Sequence, residues 1–159
     1  IGIDTISVLR PLTVAILSTG NELVEPGRPL APGKIYNSNR YLLKGFLKKL
    51  NMSVVDFGVV EDNLDATKTC LAKAAALADC IISTGGVSVG DEDHVKRAVA
   101  DLVVLDVWRL ALKPGKPLAF GTIVHTPFFG LLGHPVSTFV TFLSFLHHFL
   151  CLQQGQNNN

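Results

Sequence analysis

The chain has 159 residues, 48% hydrophobic and 17% charged, with 14 Lys and Arg against 13 Asp and Glu and a formal net charge of +1. High apolar content with low charge excludes a disordered chain, and the balance of signs excludes a polyelectrolyte surface that would hold nucleic acid non-specifically. What remains is one domain of ordinary size, long enough to bury about two-thirds of the surface its unfolded form exposes and so to fold without staples.

Cys70, Cys80 and Cys151 are odd in number and fit no CxxC or Cys/His metal spacing, which points to a reducing compartment and packing roles. The start, IGIDTISVLR, has neither the basic opening nor the apolar core of a signal peptide. Residues 1–11 are expected to be a linker from a preceding domain, 12–152 the folded domain, and 153–159 a disordered polar tail. The apolar stretch 136–152 is interrupted by Ser137, Thr138, Thr141, Ser144, His147 and His148 and is barely long enough to cross a bilayer, so no membrane span is expected.

Leu12 to Leu17 is a continuous apolar run ended by Ser18-Thr19-Gly20-Asn21, the pattern of a buried strand. Residues 20–34 hold three Gly and three Pro. That composition excludes regular structure and leaves a long connection of the kind kept for binding. Asn37-Ser38-Asn39 offers N-cap side chains to a helix over 38–50, with Leu42, Leu43, Phe46, Leu47 and Leu50 inward and Lys44, Lys48 and Lys49 outward. A strand over 52–60 is followed by a helix over 65–77 whose inner face is Cys70, Leu71, Ala74, Ala75 and Ala78. Cys80-Ile81-Ile82 is a third buried strand, running into Ser83-Thr84-Gly85-Gly86-Val87-Ser88-Val89-Gly90-Asp91 and a third helix near 93–101.

This βαβαβα order, with strands apolar throughout, calls for a parallel sheet covered on both faces and right-handed crossovers. Segments near 103–112, 117–124 and 127–132 extend the sheet, some of them antiparallel. A closing helix from Pro135 to about Leu152 places Phe139, Phe142, Leu143, Leu146 and Phe149 at helical spacing.

Ligands of open α/β sheets bind beyond the carboxyl ends of the strands, and the unusual residues collect there. Gly85, Gly86, Ser88 and Gly90 lie between a strand and a helix, where missing Cβ atoms let backbone N–H groups approach an oxyanion; a tight turn alone would also use them. Glu22, Asp62 and Asp93 follow the ends of three different strands. Converging carboxylates repel unless a cation such as Mg²⁺ sits among them, a hard ion commonly shared with substrate phosphates; carboxylates stabilising helix N-termini are the alternative. Lys113-Pro114-Gly115-Lys116-Pro117 presents two cations on a stiff turn, with Arg109 on the same face as Lys113 by the period of two, an arrangement suited to a polyanion and also to a solvated turn. Gly130 to Ser137 is another glycine-marked strand-to-helix junction, in which His134 has the chemistry to contact a ligand or simply to face solvent. His94, His125, His147 and His148 give no metal spacing.

In this order the segments Ser18-Thr19-Gly20-Asn21-Glu22-Leu23, Gly33 to Asn39, Thr84 to Asp93, Lys113 to Pro117 and Gly130 to Ser137 resemble the molybdenum-cofactor biosynthesis domain, in the form found in MoeA/gephyrin-type molybdopterin molybdenumtransferases. The resemblance covers about 12–150. It implies a three-layer α/β/α domain with a mostly parallel central sheet, whose strand-end pocket holds adenylylated molybdopterin, molybdate and a divalent cation. It further implies insertion of molybdenum into the dithiolene with release of AMP, in a cytoplasmic enzyme whose full-length form is a homodimer. Glu22, Asp62 and Asp93 would be the acidic, metal-holding residues, and Lys113 and Lys116 the catalytic cations. Thr19, Gly20, Asn21, Ser38, Gly85, Gly86, Ser88, Gly90, Arg109, Pro135 and Ser137 would bind pterin, phosphate or oxyanion.

The chain departs from the family pattern at Leu132 and His134, where Pro and Asn are usual, and at Arg109, where Lys is frequent. A molybdopterin adenylyltransferase and a non-catalytic scaffold or pterin-binding domain are the alternatives.

Overall fold

In the computed structural model, the structure describes residues 2–86, 95, 98, 103–112 and 116–156, the backbone alone for 103–112, 116 and 117. Eight strands occur among them: β1 (Thr13–Thr19), β2 (Leu23–Val24), β3 (Ile35–Tyr36), β4 (Ser53–Val60), β5 (Cys80–Thr84), β6 (Val103–Leu112), β7 (Lys116–Ile123) and β8 (Thr126–Leu131). Helices α1 (Ser38–Lys49) and α2 (Leu64–Leu77) follow β3 and β4. The chain closes with α3 (Pro135–Thr141), a π-helical turn (Phe142–Leu146) and α4 (His147–Gln153), which run on without a break.

Six strands form one sheet in the order β4-β1-β5-β8-β7-β6. β4, β1, β5 and β8 pair in parallel, whereas β7 is antiparallel to both neighbours. The expected mixture of a parallel core and an antiparallel extension is therefore present. β1 and β5 are interior strands, and their residues are buried almost end to end, as a strand covered on both faces requires.

The period of two sends alternate residues of these strands to opposite faces. Val14, Ile16, Cys80 and Ile82 pack with Leu43 and Leu47 of α1 and with Phe142, Leu146 and Leu150 of the closing helix. Ala15, Leu17 and Ile81 pack on the other side with Cys70, Leu71 and Ala74 of α2 and with Val95 and Ala98. Each fully buried large side chain contributes about 1.5–3 kcal/mol relative to exposure, so the two layers of helix are held by burial on both faces. Of the helix expected near 93–101, Val95 and Ala98 alone are described, both helical and buried.

Three details differ from the sequence pattern. The glycine- and proline-rich connection is not wholly irregular: β2 and β3 pair in parallel as a small ribbon, because the prolines are confined to 26–32 and leave Leu23-Val24 and Ile35-Tyr36 free to bond. Lys44 does not simply face solvent but bonds to Asp56 at 2.9 Å. In the closing helix Phe139 and Leu143 are 44% and 46% exposed, while Phe142, Leu146 and Leu150 are fully buried. The wider π turn explains this last shift: it stretches the average period towards four, so the buried column is Thr138, Phe142, Leu146, Leu150. Phe142 stacks on Phe46 of α1 with ring centroids 4.6 Å apart, and Phe149 meets Phe129 edge-on at 5.0 Å. These contacts dock the helix on α1 and on the sheet.

Asn side chains cap α1, as the sequence suggests, and α2. The Asn37 side chain accepts from the Arg40 N–H at the start of α1, and Asn63 accepts from the Ala66 N–H at the start of α2. At the other end of the chain, the Gln154, Gly155 and Gln156 N–H groups bond to carbonyls of the last turns of α4.

Candidate functional site

At the carboxyl ends of β1 and β5 lies a cleft of about 260 Å³ lined by Thr19, Glu22, Leu23, Ile35, Tyr36, Asn37, Ser38, Asn39, Thr84, Gly133, His134 and Pro135. Its floor is a chain of hydroxyls and amides. Thr84 Oγ1 donates to Ser18 Oγ at 3.0 Å, and Ser18 donates to Asn37 Oδ1 at 3.3 Å. Adjacent pairing of Ser18 with Thr84 across β1 and β5 makes this possible.

Glu22 reaches the cleft through a turn closed by the Leu23 N–H bonding to the Gly20 carbonyl at 3.1 Å. Gly20 has φ +143°, and a Cβ there would come within 2.5–2.7 Å of all three Glu22 carboxyl atoms. The positive φ is what favours glycine here, with the flexible Glu22 carboxylate folded back over it. Asn21 is held on the same turn, its carbonyl accepting from Lys34 Nζ at 2.6 Å.

Gly85 and Gly86, at φ +84° and +66°, turn the chain beneath Thr19; a Cβ on Gly85 would collide with the Thr19 carbonyl oxygen, and one on Gly86 with Val95. Close approach of the turn to β1 is therefore the reason for both glycines in this structure. Thr19 Oγ1 and Asn39 Oδ1 are buried in the cleft wall without a hydrogen-bond partner, as is Ser137 Oγ in the first turn of α3. Buried polar groups ordinarily find partners, so each of these has capacity left to bond.

The structure brings together Thr19, Glu22, Ser38 and Pro135 of the expected residues in the cleft lining, with Gly20 and Asn21 in the turn beside it and Gly85 and Gly86 under Thr19. Asp62 follows β4 at the same edge of the sheet and is not among the lining residues. Ser88, Gly90, Asp93 and Lys113 lie outside the described residues, and Arg109 and Lys116 have their backbones alone described. Leu112 and Lys116, paired ends of β6 and β7, lie at the same edge as the carboxyl ends of β5 and β8.

Among the described residues, no three His, Cys, Asp or Glu side chains come close enough to hold a metal ion. One carboxylate, Glu22, lines the cleft, and this does not by itself fit a three-carboxylate cation site.

Some lining residues carried little sequence signal. Asn37 and Asn39 read as caps, yet Asn37 also receives Ser18, and Asn39 Nδ2 donates to the Gly133 carbonyl at 2.6 Å. Tyr36 closes the wall of the cleft with its hydroxyl donating to the Arg28 carbonyl at 3.1 Å. The available signal was position: Tyr36, Asn37 and Asn39 fall where the long connection after β1 leads into α1.

Two thiols and the Arg10–Asp79 ion pair lie away from the cleft. Burial pushes the Cys70 thiol up to about 11, and burial likewise raises Cys80, so neither is a nucleophile near neutral pH. Arg10 bonds to Asp79 at 2.7 and 2.5 Å and anchors the end of the N-terminal segment beside β1.

A mostly parallel α/β/α sheet with a strand-end cleft lined by hydroxyl and amide side chains is the architecture whose ligands bind beyond the carboxyl ends of the strands. The chain belongs to the family described as the probable molybdopterin binding domain, which matches residues 15–151. It is 42% identical over 156 residues to the molybdopterin molybdenumtransferase of Haemophilus influenzae, covering 98% of this chain and 39% of that protein. It is 41% identical over 136 residues to the molybdenum cofactor synthesis protein cinnamon of Drosophila melanogaster, covering 85% of this chain and 23% of that one. Among solved structures, the molybdopterin biosynthesis moeA protein of Pyrococcus horikoshii superposes with a TM-score of 0.83 at 32% identity, covering 94% of this chain and 37% of that one. The chain thus spans about two-fifths or less of the length of these relatives.

Proposed function

We propose that this chain is the pterin- and phosphate-binding domain of a molybdopterin molybdenumtransferase, which inserts molybdenum from molybdate into adenylylated molybdopterin and releases AMP. The observation that carries the reading is the cleft at the ends of β1 and β5, with Glu22 held over Gly20 and Gly85-Gly86 turned beneath Thr19, in a chain 42% identical to a protein of that name.

The cleft encloses less volume than a typical small-molecule site, so it houses part of the substrate. The remainder runs along the sheet edge towards the paired ends of β6 and β7, the stretch of sequence that carries Arg109, Lys113 and Lys116 as candidate cations. In adenylate hydrolysis a P–O bond of the link to AMP breaks, the oxygen of water joins phosphorus, and AMP leaves. Negative charge develops on phosphate oxygens, and lysines placed there stabilise it electrostatically. Thr19 and Ser38 hydroxyls orient the bound group, Glu22 accepts a proton or hydrogen bond from water, and Pro135 lines the wall; Ser137, Ser88 and Gly90 are the further candidates for contact by their place in the sequence. A divalent cation such as Mg²⁺ enters this reading through Glu22 with Asp62 and Asp93, and no step here is routed through it.

The proposal places the full-length protein in the cytoplasm as a homodimer, with molybdopterin and molybdate as its partners and neither nucleic acid nor membrane. Near-neutral charge supports the first exclusion. The helix Pro135–Gln153 is long and apolar enough to cross a membrane by length and composition, but Phe142, Leu146 and Leu150 are spent in the core. The test is molybdate-dependent release of AMP from adenylylated molybdopterin by the full-length protein. Binding without release overturns the transferase reading.

A further inference from the structure

The loop between β1 and α1 carries Glu22 to the cleft, and its other anchoring is made beyond β2. Glu22 and Glu25 flank that two-residue strand and meet different surroundings. Glu22 lines the cleft. Glu25 turns to α1, where its carboxylate meets Arg40 Nη1 at 2.8 Å, the Tyr41 hydroxyl at 3.1 Å and Asn37 Nδ2 at 3.4 Å.

Arg40 does not stop at the loop. Its Nε lies 2.9 Å from both carboxylate oxygens of Asp56 on β4, and Asp56 also accepts from Lys44 Nζ at 2.9 Å and from the Gly58 N–H at 3.0 Å. A β-bulge presents Asp56: between Ile16 and Ser18 of β1, β4 carries an extra residue, and Gly58 takes φ +69°. One guanidinium thus spans the loop and the sheet, and its planar fork suits two carboxylates in a way a lysine ammonium does not. The Arg40, Glu25 and Asp56 side chains are 22%, 30% and 16% exposed, so the pairs are sheltered from much of the screening that makes surface pairs weak.

We infer that Arg40 is a positioning residue: by tying Glu25 to Asp56 it fixes the 20–36 loop, and with it the Glu22 carboxylate, against the sheet edge. Arg40 is not among the cleft-lining residues, so it acts through the loop and not on the ligand. Its catalytic consequence rests on the proposed function; its structural consequence does not.

The experiment compares wild-type full-length protein with Arg40→Met, Arg40→Lys and Glu25→Gln. Glu25→Gln keeps the Arg40–Asp56 pair and removes only the charge of the loop tie, so it serves if Arg40→Met does not fold. Hydrogen exchange is read at Leu23, Ile35 and Asn37, whose N–H groups bond within the loop and ribbon, and kcat and KM are read for molybdate-dependent AMP release. The expected result is exchange at these amides faster by roughly tenfold or more in Arg40→Met, with β5 amides unchanged. Turnover falls by about tenfold, the equivalent of about 1.4 kcal/mol in the barrier, and Arg40→Lys restores only part of either. Unchanged exchange in the loop overturns the inference whatever the turnover. Faster exchange with kcat and KM both at wild-type values overturns it too, since the loop would then be free without moving Glu22 from use. If the wild-type protein releases no AMP, the proposed function falls, and exchange alone decides whether Arg40 holds the loop.

Discussion

Asn39 and Gly133 are 94 positions apart, and the Asn39 amide donates to the Gly133 carbonyl at 2.6 Å across the mouth of the cleft. That single bond ties the first turn of α1 to the junction between β8 and the closing helix. Asn39→Ala leaves a Gly133 carbonyl without its donor in a partly buried setting, a loss of about 1–3 kcal/mol. We expect a lower melting temperature and a lower affinity for adenylylated molybdopterin together. A melting temperature equal to that of the wild type would show that the bond contributes nothing net.

Gly85→Ala is expected to be among the most disruptive single-atom changes in the domain. The residue sits at φ +84°, where an L side chain costs of order 1–3 kcal/mol, and the added methyl would overlap the Thr19 carbonyl. Chemical denaturation should show the loss as a lower midpoint with an unchanged slope. Turnover should fall as well, because displacing Thr19 displaces the cleft floor.

The opposite sign is expected at Val124. It occupies the two-residue turn between β7 and β8 with φ +61° and is 70% exposed, a conformation in which a β-branched residue is strained and Gly is not. Val124→Gly should raise stability by about 1 kcal/mol, visible as a higher denaturation midpoint. A lower midpoint would mean that the valine side chain gains more from its neighbours than the turn loses.

The strands of the core and the N-cap of α1 can be read from the chain because they depend on local pattern: continuous apolar runs, a 3.6-residue period, and an Asn before the first helical turn. In the closing helix a 3.6-residue period does not foretell the exposure of Phe139 and Leu143, because a π turn changes the period and nothing in the residues themselves announces a π turn. At the site, Thr19, Glu22 and Ser38 were legible since they follow strand ends or glycine turns. Asn39 and the Arg40–Glu25–Asp56 tie were not. They depend on which side chains of distant segments meet, and on a bulge in β4 that an apolar run does not reveal.

Acid should weaken the fold through Asp56 and Asp79. Burial pushes the Asp56 carboxyl up, but the bonds from Lys44, Arg40 and the Gly58 N–H outweigh it and hold it below the ordinary value. The Arg10 bond, against opposing burial, holds Asp79 down likewise, helped by the Thr13 N–H. A carboxyl whose folded pKa is depressed stabilises fully above its unfolded value, near 3.9, and this contribution fades as pH falls towards the folded value. Melting temperature should therefore be flat from neutral pH down to about 5 and drop below about 4. In Asp56→Asn and Asp79→Asn the acid drop should be shallower than in the wild type. Parallel curves for all three proteins would assign the acid sensitivity to other groups.

Glu22→Gln separates the chemistry of the cleft from its architecture. The side chain is exposed and nearly isosteric with glutamine, so stability should stay within about 0.5 kcal/mol of the wild type. The carboxylate is the one charged group among the described residues that lines the cleft, and an amide can neither take a proton from water nor carry the charge. Molybdate-dependent AMP release by the full-length protein should therefore fall by about a hundredfold or more, the lower range for loss of a general acid or base. Asp62→Asn is the informative companion, since Asp62 follows β4 at the same sheet edge without lining the cleft. A small effect there with a large one at Glu22 confines the reacting group to the ends of β1 and β5. Equal losses at both positions would extend the site across β4 and restore the paired carboxylates that a divalent cation requires. A wild-type rate in Glu22→Gln would remove the cleft from the reaction.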